Sequence, residues 1–156
     1  YEIHERLVGS EMCIRDSTHS IPQGISAMMS VDTAEEDPQA ILAAMTEAAA
    51  AVTTAQITYA ARNSDFDGFA INEGDYLALL DGKLFGTERD ITSLLTRLAA
   101  LAAEREAAFV TLFYGEGVSQ EEAEAAQALF TEACPETEVS LLSGGQPVYY
   151  YTISIE

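Results

Sequence analysis

The loop Gly144-Gly145-Gln146-Pro147 is the segment of this chain best suited to hold a small anion. Consecutive glycines let backbone N–H groups converge on one point, forming a nest for negative oxygens. The loop is not a P-loop, because the Gly-Lys-Ser/Thr ending is missing. A plain strand-connecting turn is the simpler reading of the same residues. Other constellations are weaker. His19 stands without a second histidine at metal-ligand spacing, and His4 lies far toward the N-terminus, so neither an HExxH pair nor a Cys/His cluster exists. Ser20 and Ser143 are outside any G-x-S-x-G elbow. Glu121, Glu122 and Glu124 read as a solvated helix face, favoured by the positive end of the helix dipole. Residue types and spacing alone therefore reveal no catalytic machinery.

Composition narrows the class. The chain has 156 residues, 48% of them hydrophobic, with a mean hydropathy of +0.05. That balance describes a globular domain with one core and excludes a disordered chain. No apolar run approaches the roughly 18 residues that a membrane span needs, and no basic stretch leads into an apolar signal segment. The formal charge is −19, which repels nucleic acid phosphates and anionic headgroups and attracts a basic protein surface. We therefore expect no nucleic acid partner and no membrane insertion. Cys13 falls in an atypical N-terminal stretch, leaving Cys134 as a lone thiol that reads as a buried small hydrophobe. A reducing cytoplasm is the expected compartment.

The elements that position these residues can be read from capping and periodicity. Ser20 caps a short helix through Ile25, Met28 and Met29, with Pro22 in its first turn. Asp37 and Pro38 open a second helix with a stripe of Ile41, Leu42, Met45, Ala48, Ala49 and Val52. Gln56 to Ala60 reads as a strand, Arg62 to Gly68 as polar turn, and Phe69 to Ile71 as extended again. Asp81-Gly82 between Tyr76–Leu80 and Lys83–Phe85 predicts a two-residue hairpin turn. Asp90 caps a helix with Leu94, Leu95, Leu98 and Leu101 on one face. Phe109 to Tyr114 reads as a strand buried on both faces. Ser119 and Glu122 form a capping box for a helix that Pro135 stops. Val139 to Leu142 and Val148 to Ile155 read as the last strands. The expected fold is α/β, a mixed β-sheet covered by helices.

Residues 1–17 have a different texture, poor in Ala and without a clean period. The string YEIHERLVGSEMCIRDS resembles a translated sequencing-adapter read-through, so residues 1–17 are expected to be a non-native leader and residues 18–156 a single α/β lobe. Removing the leader removes His4 and Cys13 from metal or redox arguments. It leaves −17 of the charge on the remainder.

Several motifs in order carry a family resemblance. Thr18-His19-Ser20-Ile21-Pro22-Gln23-Gly24, Gln56 to Arg62 with Asp67-Gly68, and Glu73-Gly74-Asp75-Tyr76 with Leu80-Asp81-Gly82-Lys83 come first. Phe113-Tyr114-Gly115-Glu116 with Glu121 to Glu124, Gly144 to Tyr149, and the closing Ile153-Ser154-Ile155-Glu156 follow. Together they resemble the C-terminal region of DhaL-domain (YloV-type) proteins, the catalytic subunit of bacterial fatty acid kinase; His19 departs from the usual Lys. The resemblance implies a fold similar to the C-terminal lobe of DegV-like (EDD) proteins. It implies a non-catalytic lobe that docks a fatty acid-binding DegV-type partner for ATP-dependent acyl phosphate formation. ATP and magnesium would belong to a DhaL domain elsewhere in the full-length subunit, which could be a homodimer; no cofactor is expected in this chain. A second reading also follows, because DegV-like relatives hold a fatty acid between two lobes. In it Ser20, Gln23, Gly24, Gly144, Gly145 and Gln146 would anchor a carboxylate.

Overall fold

The structure, a computed structural model, describes residues 18–66 and 69–156 and divides into two units at Thr53/Thr54. The leader, with His4 and Cys13, and the Asp67-Gly68 pair lie outside the described residues.

Among the described residues the first unit is a helix pair. Helix α1, Ile21–Met29, starts at Ser20, whose Oγ accepts from the Gln23 N–H at 3.3 Å. Pro22 sits in the first turn, where its missing N–H costs nothing. Helix α2, Pro38–Ala51, starts at Asp37, which accepts from the Gln39 N–H at 3.0 Å. Both starts match the capping chemistry in the sequence. Ala27 of α1 is buried with Met45 and Ala49 of α2, and Val31 and Ile41 pack against them. Two of the three buried residues of this small cluster are alanines, so its one long buried side chain is Met45.

The second unit is a six-stranded sheet with two helices. Its strands are β1 (Thr53–Tyr59), β4 (Tyr76–Leu80), β5 (Lys83–Glu88), β6 (Phe109–Tyr114), β7 (Glu138–Ser143) and β8 (Tyr151–Ile155). They lie in the order β5-β4-β1-β8-β6-β7. Pairing is antiparallel for β1/β4, β4/β5 and β6/β8 and parallel for β6/β7, so the sheet is mixed as expected. Asp81 and Gly82 both take positive φ, 48° and 78°, as a tight hairpin turn demands. Asp81 also accepts from the Thr54 N–H at 2.9 Å, pinning the turn to the neighbouring strand.

Helix α3, Ile91–Glu104, and helix α4, Gln120–Ala133, bury Leu94, Leu95, Leu98, Ala123, Ala126 and Phe130 in the core with Ile57, Val110, Leu112 and Ile153. Cys134 is buried in the same core, its Sγ donating to the Ala99 carbonyl at 3.4 Å. The capping box of α4 is complete, with Ser119 and Glu122 each bonding the other's backbone. Ser119→Ala should cost about 1 kcal/mol of unfolding free energy. Urea titration measures it, and a change below a few tenths would mean the box is dispensable.

Three sequence expectations need correction. Strand β2, Ser64–Phe66, pairs with β3, Phe69–Ile71, where the sequence predicts a polar turn from Arg62 to Gly68. The ribbon is three residues long on each side, too short for a periodic signal. Strand β6 is not buried on both faces: Val110 and Leu112 are buried, but Phe109 is 53% exposed. The strand buried throughout is instead β8, Tyr-Thr-Ile-Ser-Ile. Its position between β1 and β6 decides that. The last strand also begins at Tyr151 and not at Val148.

Candidate functional site

Every tyrosine among the described residues lies at one end of the sheet. Tyr59 ends β1, Tyr76 opens β4, Tyr114 ends β6, and Tyr149, Tyr150 and Tyr151 lead into β8. The strand pairings enforce this, placing Tyr59 opposite Tyr76 and Tyr114 opposite Tyr151. It is also the end at which the parallel strands β6 and β7 finish, the region where open α/β sheets usually receive ligands.

The Tyr150 ring is the centre of the group. It meets Tyr76 edge-on at 5.4 Å between centroids and Tyr59 at 6.3 Å. Two clefts border it. One, of about 250 Å³, is walled by Tyr76, Ile91, Val118, Leu129 and Tyr151, with Glu122 at its lining. The other, of about 340 Å³, lies between Tyr59, Glu116, Gln146, Val148 and Tyr149. Both include Gly117, whose missing Cβ lets the Tyr150 ring approach; a Cβ there would stand 3.3 Å from it.

Electrostatics at this end follow from burial and from the capping box. Partial burial raises the Tyr150 hydroxyl, with smaller contributions from Tyr76 and Tyr59. Burial also pushes Tyr151 up to about 12, with the nearby Glu122 charge as the lesser cause. Its hydroxyl donates to the Glu122 backbone carbonyl at 3.3 Å. Bonds from the Ser119 backbone and side chain hold the Glu122 carboxyl below its ordinary range. A raised tyrosine pKa means that the folded state holds its proton more tightly than the unfolded chain. The resulting stability is fully present below about pH 10, the unfolded value. It is lost as pH rises through the folded value of about 12. We expect a late tyrosinate absorbance step near pH 12 that Tyr151→Phe removes. If the variant keeps the step, the assignment to Tyr151 is wrong.

The six residues singled out for carboxylate binding fall into two groups. Gly144, Gly145 and Gln146 share the loop after β7. The N–H groups of Gly144 and Gly145 both donate to the Tyr114 carbonyl, at 2.9 and 3.2 Å, and Gln146 Nε2 donates to the Phe113 carbonyl at 2.8 Å. Their donors close the loop onto β6. Ser20, Gln23 and Gly24 lie in the first turn of α1, in the other unit. There Ser20 is the cap and the Gly24 N–H donates to its carbonyl at 3.2 Å. Gln23 Oε1 accepts from the His19 N–H at 2.7 Å and its Nε2 donates to the Val52 carbonyl at 3.4 Å.

The loop holds one unusual residue. Val148 has φ +72°, a left-handed value that a β-branched side chain rarely adopts. The Tyr149 N–H donates to the Pro147 carbonyl at 2.8 Å, making a γ-turn centred on Val148. Thr58 Oγ1 donates to the Val148 carbonyl at 3.0 Å and holds the turn against β1. Val148 itself is 63% exposed and Tyr59 47%. Sequence reasoning misses Tyr59, Tyr76, Val148 and Tyr150; the Tyr149-Tyr150-Tyr151 run is the one local sign of them. Among the described residues no cluster of His, Cys, Asp and Glu could hold a metal ion. The clefts offer aromatic rings, hydroxyls and apolar walls, a chemistry of recognition.

The architecture is that of DegV-type proteins. The chain superposes on a Ruminococcus gnavus DegV family protein refined with vaccenic acid at a TM-score of 0.56 and 12% identity, covering 86% of this chain and 55% of that one. On the Streptococcus pneumoniae Fatty Acid Kinase (Fak) B3 protein loaded with linoleic acid it reaches 0.52 at 9% identity, covering 77% and 50%. At such identities the likeness shows the fold alone. Sequence goes further: the chain belongs to the FakA-like C-terminal family of fatty acid kinase, whose model matches residues 13–156. It is 34% identical to Protein YloV of Bacillus subtilis (strain 168) over 137 residues, 88% of this chain and 25% of that protein. An uncharacterized protein of Staphylococcus aureus (strain USA300) matches at 30% identity over 89% of this chain and 25% of its own length. The chain thus spans about a quarter of the length of the curated relatives it matches. No helix among the described residues is long and apolar enough to cross a membrane.

Proposed function

We propose that this chain is a non-catalytic lobe of a fatty acid kinase, one that docks the fatty acid-binding DegV-type protein presenting the acyl substrate. The supporting observation is the tyrosine-walled pair of clefts at the carboxyl ends of β6 and β7, within a chain of this family. Rigid amphipathic rings beside an exposed valine suit a protein surface better than a reacting bond. Phosphoryl transfer, with ATP and magnesium, falls in this reading to other parts of the longer protein. Calorimetric titration with a fatty acid-binding DegV-type protein should show saturable binding, while ATP turnover by this chain alone should stay at background. No binding in that titration rejects the docking role.

A second reading makes the chain a fatty acid or small-carboxylate module, as the lipid-loaded fold relatives suggest. The hydrogen bonds of Gly144, Gly145 and Gln146 weigh against it, since their donors already serve β6. Saturable uptake of linoleate by this chain would favour it over docking.

A further inference from the structure

We infer that the docking face is the cleft between Tyr59, Val148 and Tyr149, and that Val148 is its anchor, received by an apolar pocket with a basic rim on the partner protein. The inference rests on the docking reading above and adds to it the surface and the partner's chemistry.

Two independent features converge on Val148. One is backbone geometry. A valine at φ +72° opposes its own sterics, and the surrounding structure must hold it there. Three hydrogen bonds do so: Tyr149 N–H to Pro147, Thr58 Oγ1 to Val148, and Gln146 Nε2 to Phe113. Glycine would satisfy such a turn without strain, as Gly145 does nearby at φ +60°. What valine adds is an isopropyl group, and the turn carries it outward at 63% exposure. The core gains little from it.

The other feature is charge. From Glu106 to the C-terminus every charged side chain is a glutamate, with no lysine, arginine or histidine among them. That segment builds β6, α4, β7, β8 and the loop bearing Val148, and Glu116 lines the cleft itself. Such a field attracts a basic surface and repels nucleic acid and anionic lipid. A folded protein with cationic residues around an apolar socket is the occupant that fits both features.

The test uses variants that suit the turn better than valine does. Val148→Gly and Val148→Asn both tolerate positive φ and both delete the isopropyl group. Neither should lower the melting temperature. Both should weaken binding of a fatty acid-binding DegV-type protein about tenfold or more, the share of affinity that one buried valine supplies. Phe109→Ala removes another largely exposed apolar group, at the opposite end of β6, and should leave affinity unchanged. Affinity of the unaltered chain should also fall as salt rises. If the unaltered chain binds and the Val148 variants bind equally well, the anchor is wrong while docking stands. Affinity indifferent to salt overturns the basic rim. No binding by the unaltered chain removes docking and the anchor together.

Discussion

Phe130→Ala should lower the unfolding free energy by about 3–5 kcal/mol, the largest single-residue loss expected in this chain. The ring is fully buried, on the inner face of α4, among Leu94, Leu98, Ala123 and Val110 in the shared core. Truncation removes its burial and leaves a cavity that the rigid sheet cannot close. Small neighbours make this worse, because the core is rich in alanines that have no side-chain length with which to fill a gap. A domain of this size holds roughly 5–15 kcal/mol in all, so the variant would be near unfolding at physiological temperature. Urea titration of the whole chain provides the measurement. A loss below about 1 kcal/mol would show that α4 packs elsewhere.

Gly115→Ala should cost about 1–3 kcal/mol and also dismantle the candidate docking face. Gly115 follows β6 and is buried against the returning loop. Its N–H donates to the Tyr150 carbonyl at 2.9 Å, and the next N–H, of Glu116, reaches the Gln146 carbonyl at 3.2 Å. A Cβ at Gly115 would overlap the carbonyl oxygens of Tyr149 and Gln146, which are backbone and cannot swing away. The loop must shift, carrying Val148 and Tyr150 with it. Gly117→Ala is the comparison. Its added carbon would press only on the Tyr150 ring edge, at 3.3 Å, and a side chain can adjust. We expect partner affinity to fall more than about tenfold for Gly115→Ala and severalfold less for Gly117→Ala. Equal effects from the two would mean that the ring, and not the backbone, sets the loop.

Much of the local structure is legible in the sequence because its signals act over a few residues. Ser20, Asp37, Asp90 and Ser119 each cap a helix where a side-chain oxygen can reach an N–H two or three positions on. Asp81-Gly82 turns a hairpin for the same local reason. The site is less legible. Gly144, Gly145 and Gln146 have the makings of an anion nest, and their loop does border the tyrosine clefts, but their donors point back at Tyr114 and Phe113. Tyr59 and Tyr76 fall within motifs of the family resemblance, but nothing near them marks them as site residues, because a strand tyrosine looks locally like any other.

By itself, then, the sequence determined the caps, the hairpin, the α/β class, the acidic field and the family, all of which depend on neighbours along the chain or on ordered motifs. The tertiary structure alone decided that β8 lies in the middle of the sheet and is buried on both sides. It also decided that tyrosines from residues 59, 76, 114 and 149–151 meet at one end. Both outcomes depend on which strands pair, and pairing is set by the packing of the whole sheet against its helices, a quantity that no short stretch of residues contains.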